Sequence, residues 1–185
     1  IDGTRAFISG VPSWGTLIGF YSNGRSVMGL MDQPFTGERY FADGNNAWYR
    51  GPDGERQIRT RDCATLANAT LFTTSPHIFE GDDLKRYRAV EEKVQLFRYG
   101  MDCYAYTLLA AGHIDLVIEN NLKPYDVGAL IAIIEQAGGI ITNVATVSAP
   151  SGMNDPNTAN NTGAVTLNVP TPDVTSILRM PMGAA

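Results

Sequence analysis

The sequence predicts an α/β protein of layered α+β character. Two observations carry the prediction. Residues 12–51 hold short β-rich runs separated by hairpin signals, and residues 100–142 alternate helix, strand, helix, strand. A third observation bounds the size. At 185 residues the chain makes one domain or one compact lobe, long enough to bury about 70% of the surface it would expose unfolded.

The elements follow in order. Thr16 to Tyr21 is rich in β-branched and aromatic residues, and the Asn23-Gly24 dipeptide after it is a strong hairpin signal. Val27 to Met31 reads as the return strand. Arg39 to Ala42 and Ala47 to Arg50 flank Asp43-Gly44-Asn45-Asn46, a second hairpin, and Leu71 to Thr74 reads as one more strand of an antiparallel meander. From residue 82 the period changes. Leu84, Tyr87, Val90, Val94 and Phe97 recur at helical spacing, with Asp82 and Asp83 in the first turn and Arg98 in the last, as the helix dipole prefers. Asp102 to Ala111 predicts an apolar helix closed by Gly112, and Ile114 to Glu119 a strand. Pro124 opens a helix that Gly138-Gly139 ends, and Ile140 to Thr142 is a strand. Residues 143–163, rich in Asn, Thr, Ser and Gly, read as a loop; Val165 to Val169 reads as a strand and Pro172 to Met180 as a terminal helix.

Composition excludes several classes of function. Hydrophobic residues at 44% and charged residues at 18% are those of a packed globule, not of a disordered chain. A net charge of −5 announces no basic face, so nucleic acid is not an expected partner. No apolar run approaches the roughly 18 residues of a spanning helix, so no membrane role is expected. Two cysteines make no disulfide framework and favour a reducing cytoplasm. Two isolated histidines, His77 and His113, lack zinc-site spacing, and no nucleotide-binding glycine loop is present. Ile1-Asp2-Gly3-Thr4 reads as the middle of a segment, so the natural protein is expected to be longer, or the chain processed.

Three places carry residue types suited to chemistry. At Asp2-Gly3-Thr4 a carboxylate that can hold a hard cation stands beside a glycine, which lets a ligand approach the backbone, and a hydroxyl at a helix start. The same tetrapeptide also makes an ordinary turn with an N-cap. Glu119 closes a strand and Asp126 opens the next helix; strand ends and helix starts are where α/β sheets bind ligands, though Asp126 also answers the helix dipole. Asp102 either caps its helix or presents an acid to the same pocket.

With those residues in view, the chain resembles the inositol monophosphatase-like Mg²⁺-dependent phosphatases. Ile1-Asp2-Gly3-Thr4 is similar to the latter part of their Asp-Pro-Ile-Asp-Gly-Thr metal motif. Gly100 to Asp126 resembles their second signature, with Ala110-Ala111-Gly112, Asp115, Glu119 and Tyr125-Asp126 in step. The two motifs stand in the right order, 124 positions apart, and the likeness runs from residue 1 to about 142. Residues 2–10, 102–106 and 122–126 look most like the bacterial histidinol-phosphate phosphatase branch. The family usually has Trp where Tyr125 stands and Ala-Ala-Gly where Val127-Gly128-Ala129 stands.

The resemblance implies a sandwich of alternating helix and sheet layers. This chain would carry its C-terminal portion: the metal and phosphate loop and antiparallel strands over 1–80, and an α/β lobe over 81–185. It implies Mg²⁺, held by the Ile1 carbonyl, Asp2 and Asp126, with Asp2 and Thr4 catalytic, Gly3 and Thr4 on phosphate, and Asp126 and Glu119 facing the substrate's alcohol portion. The family's other metal ligands would lie before residue 1, in roughly 80–90 residues. A homodimer is expected on the same ground. Asp102 replaces a small residue of the broad family. With Glu119 it would set two acids near the non-phosphate end of the substrate, which suits the cationic histidinol better than neutral inositol. The expected reaction is therefore hydrolysis of a small phosphate monoester, L-histidinol phosphate first. Inositol 1-phosphate or another sugar phosphate is the second reading, and a non-catalytic binding or assembly fragment the third.

Overall fold

The computed structural model describes residues 1–146, 162–166 and 177–178. A short helix, α1 (Thr4–Ser9), precedes a meander of β1 (Thr16–Ser22), β2 (Arg25–Gln33), β3 (Glu38–Ala42), β4 (Ala47–Gly51) and β5 (Gly54–Gln57). These five strands form one antiparallel sheet in sequence order. The Asn23-Gly24 turn has both residues at positive φ, as a tight hairpin requires.

The second half is of βαβ type. β6 (Thr70–Thr73) leads through α2 (Gly81–Glu91) to β7 (Leu96–Tyr99), then through α3 (Asp102–Ala110) to β8 (Leu116–Val117). The sheet order is β7-β6-β8, all parallel, so β6 belongs here and not to the antiparallel meander. α4 (Pro124–Gln136) follows, and β9 (Thr142–Thr146) pairs with β10 (Thr162–Thr166) and β11 (Ile177–Leu178).

Several expected boundaries shift. The helix expected over 82–98 stops at Glu91, whose buried carboxylate accepts from the Tyr87 hydroxyl at 2.7 Å and from Tyr99 and Arg88. Residues 96–99 then pair with β6, so Val94 and Phe97 matched the helical period without being helical. Ile114 to Glu119 contributes only two strand residues. Part of the expected 143–163 loop is strand, while residues 147–161 lie outside the described residues. Ile177 and Leu178 are strand where a terminal helix was expected; the rest of 172–180 lies outside the described residues, as do 167–169.

α4 is the helix that joins the halves. Pro124 fits its first turn, and Val127, Leu130, Ile133 and Ile134 form a buried stripe. That stripe packs with Met31, Ile58, Tyr106 and Leu109 in the main core, where each large side chain contributes roughly 1.5–3 kcal/mol. A smaller cluster of Leu71, Phe79, Tyr87 and Leu116 sits under α2. The α4 backbone lies directly on the antiparallel sheet, against Gly19 and Gly29, which face each other across β1 and β2. Ser26 donates to the Gly128 carbonyl at 2.8 Å, and Gln136 donates to the Val27 carbonyl at 2.8 Å. The opposite face of the same strands exposes Ile18, Phe20 and Met28.

Asp115, part of the second signature, has a structural role. Its side chain is 1% exposed; it accepts from Arg61 Nε and from the Thr70 amide, each at 2.7 Å. These bonds hold its carboxyl below the ordinary range in spite of burial. Asp115→Ala is expected to cost about 2–3 kcal/mol by orphaning Arg61 and the Thr70 amide, read as a lowered urea midpoint. An unchanged midpoint would remove the structural assignment.

Candidate active site

The site is built on the start of α3. Asp2 enters through a bridge to Gly15, with mutual backbone hydrogen bonds of 2.9 and 3.1 Å. That bridge aims its carboxylate at the first turn of α3, where Oδ2 accepts from the Cys103 amide at 2.9 Å. Asp2 thus satisfies an amide that the helix cannot satisfy itself. Gly3 has φ 75°, and a Cβ there would fall 2.9 Å from the Trp14 Cα, so the turn admits only glycine. Thr4 follows as the exposed first residue of α1.

Asp102 does not cap its helix. The cap position is Met101, and no side chain hydrogen-bonds there. Its Oδ2 instead lies 3.5 Å from Ser13 Oγ, and its Cβ would come 3.2 Å from a Cβ built on Gly3. Glu119 follows β8, is 3% exposed, and accepts from the Thr74 amide at 2.5 Å. Asp126 keeps its helical role, since its Oδ2 accepts from the Lys123 amide at 2.7 Å, and its charge also reaches Asp2. Ile1 is exposed beside Asp2.

Burial, and then like charge, raises Asp2, Asp102 and Glu119. Burial pushes the Asp2 carboxyl up and Asp126 adds to it, against the Cys103 hydrogen bond. Burial and then Asp2 raise Asp102. Burial carries Glu119 to about 8, opposed by Thr74 and increased by Asp102 and Asp2. Cys103 is buried and its thiol is pushed far above the usual range, which suits an inert packing residue. The sequence reading missed Ser13, Thr74 and Tyr106. Tyr106 is 5% exposed, its hydroxyl has no hydrogen-bond partner among the described residues, and Glu119, Asp2 and Asp126 all act on it electrostatically. Ser13 and Thr74 carry no local motif that would have singled them out; Tyr106 lies in the 102–106 segment of the resemblance, which assigned it no role.

The donor chemistry suits a hard divalent cation: carboxylate oxygens whose burial, with neighbouring like charge second, resists ionisation. The count falls short. Among the described residues no three His, Cys, Asp or Glu side chains are grouped to hold a metal ion. A groove of about 240 Å³ lies between β1 and the start of α4, lined by Tyr21, Pro124 and Tyr125, and none of the four acids lines it.

The model of the inositol monophosphatase family matches residues 1–168. The chain belongs to that family. Its members are generally metal-dependent. Arabidopsis thaliana has a bifunctional phosphatase, IMPL2, described as chloroplastic, that is 49% identical over 144 residues, or 77% of this chain and 40% of that protein. The histidinol-phosphatase of Chlorobaculum parvum is 30% identical over 75% of this chain and 53% of its own. Among solved structures, an inositol monophosphatase from Zymomonas mobilis is 44% identical with a TM-score of 0.70, covering 75% of this chain and 54% of that one. The mixed layering of helix and sheet is the family's fold. The chain spans about half the length of these relatives. Among the described residues no helix is long and apolar enough to cross a membrane.

Proposed function

We propose that this chain is the C-terminal portion of a Mg²⁺-dependent phosphatase that hydrolyses L-histidinol phosphate to histidinol and phosphate. The observation that carries the reading is the bond between the Asp2 carboxylate and the Cys103 amide at the first turn of α3, which sets Asp2 next to Asp102, with Glu119 and Asp126 in electrostatic reach. Asp2, Asp126 and the Ile1 carbonyl would hold the cation, with further ligands supplied by the part of the full-length protein that precedes Ile1. When bound, the ion offsets phosphate charge and makes water a better nucleophile at neutral pH.

The chain's own residues do the rest. The tight turn at Gly3 brings backbone close to phosphate, and the Thr4 hydroxyl stands at the same place to orient the attacking water. Asp102 and Glu119 would face the alcohol portion, where a cationic leaving group, unlike a neutral one, draws buried acids into their ionised form. Both cysteines are free, in keeping with a reducing compartment, and we read it as the cytoplasm. A homodimer is the expected assembly.

The test is phosphate release by the full-length protein from histidinol phosphate, inositol 1-phosphate and a sugar phosphate. Release from the first should exceed the others, stop with chelator and return with Mg²⁺. Asp2→Asn should lower it on the order of 10³-fold. Inositol 1-phosphate as the better substrate would transfer the reading to the alternative the Zymomonas neighbour suggests. Failure to release phosphate from any ester, or indifference to chelator, would leave the reading of a non-catalytic binding or assembly fragment.

A further inference from the structure

Asp2 is held at two points. Its backbone bridges Gly15, and its carboxylate accepts from the Cys103 amide. The two holds belong to different parts of the chain, the loop before β1 and the first turn of α3. The carboxylate keeps its place only while loop and helix keep their spacing. Ser13 joins them directly, donating to the Gly100 carbonyl at 3.2 Å.

A second connection runs through the turn between β2 and β3. Gln33 is fully buried there, and its Nε2 donates at 2.6 Å to the Pro12 carbonyl, in the loop that carries Gly15. Its Oε1 accepts from the Phe35 and Thr36 amides at 2.7 and 3.1 Å, which locks the turn itself. The Thr36 hydroxyl donates to Glu38 Oε2 at 2.7 Å, and the Tyr104 hydroxyl donates to the same oxygen at 2.6 Å. Tyr104 follows Cys103 in α3. The contacts therefore close a ring that starts and ends on Asp2.

Glu38 is the fixed point of that ring. Its Oε1 accepts from Tyr49 at 3.1 Å and from Tyr40 at 3.4 Å, so four hydroxyls converge on one carboxylate. Burial pushes its carboxyl up, but these bonds outweigh burial and hold it below the ordinary range. Hydrogen bonds to a charged acceptor are stronger than neutral ones. The Tyr40 ring also packs edge-on against the Tyr49 and Tyr104 rings, at 5.2 and 6.1 Å between centroids. The reaction described above gives this cluster no part.

We propose that Glu38 is a positioning residue for Asp2, acting through the Tyr104 hydroxyl to fix the first turn of α3 where the Cys103 amide meets the Asp2 carboxylate. Its effect on rate rests on the phosphatase reading, and its effect on the Cys103 amide does not. Without the link the acid is present but displaced, and a displacement on the order of 1 Å can cost about 10²-fold in rate.

The experiment compares Tyr104→Phe with Tyr49→Phe in the full-length protein. Each removes one hydroxyl from Glu38, but only Tyr104 stands on α3. Both should lower Tm by a few degrees. Tyr104→Phe alone should lower kcat for the preferred ester about 10-fold with KM little altered. It alone should also speed deuterium exchange of the Cys103 amide about 10-fold in the metal-free protein. Glu38→Ala should match Tyr104→Phe, and Glu38→Gln, which keeps an acceptor oxygen, should recover part of both losses. Equal kcat losses in the two phenylalanine variants, an unchanged kcat in Tyr104→Phe, or unchanged Cys103 exchange there would overturn the proposal and leave the phosphatase reading in place. A wild type that releases phosphate from no ester would remove the phosphatase reading instead, and the exchange comparison then decides alone whether Glu38 holds the partner of Asp2.

Discussion

Gly29→Ala is expected to lower stability by about 3 kcal/mol, a drop in Tm on the order of 10 °C. A Cβ at Gly29 would lie 1.9 Å from the Ala129 carbonyl oxygen and 2.8 Å from its carbon, and both are helix backbone. No rotamer relieves a clash between two main chains, so α4 would have to lift from the sheet. Lifting would strain the Ser26–Gly128 and Gln136–Val27 bonds, which join the same surfaces. Gly19→Ala should be milder, since its nearest backbone contact is 3.0 Å. Thermal melts of the two variants check this ordering; a Gly29→Ala Tm equal to wild type would mean the helix stands further from the sheet. Asp126 rides on the N-terminus of α4, so the variant should weaken cation binding as well as stability.

The second large effect is a pH dependence centred on Glu119. Unfolded, its carboxyl titrates near 4.5; folded, burial raises it to about 8. The folded state therefore holds this proton more tightly than the unfolded state. Its contribution is fully present below pH 4.5 and is lost as pH rises toward 8, because the folded chain must then carry a buried charge. The shift corresponds to a loss on the order of 3–5 kcal/mol across that window. Burial raises Asp2 and Asp102 as well, so they act in the same direction. Denaturation midpoints in chelator should be higher at pH 5 than at pH 8.5. Glu119→Gln, which still accepts from Thr74, should remove much of the slope, and Mg²⁺ should restore midpoint at the higher pH. A wild-type midpoint that rises between pH 5 and 8.5 would contradict the assignment.

How far the chain could be read in advance varied by element, for physical reasons. The β1–β2 hairpin was legible because Asn23-Gly24 prescribes its own turn, and α4 because Pro124, a buried stripe and Gly138-Gly139 agree. The end of α2 was not, because Val94 and Phe97 fit a helical period and only pairing with β6 decides otherwise. Leu71 to Thr74 was legible as a strand, but its sheet depends on crossovers that no local pattern records. The site divides in the same way. Asp2, Asp126 and Glu119 stand out as acids at the ends of elements. Ser13 and Thr74 do not, because their importance comes only from what the fold sets beside them.

The bond between the Asp2 carboxylate and the Cys103 amide ties together positions 101 residues apart. No short stretch of chain can form it in advance, and both strand systems must be laid down before its two ends meet. During refolding, protection of the Cys103 amide against solvent deuterium should therefore lag behind that of the β1–β2 ladder, making this contact one of the last events on the pathway.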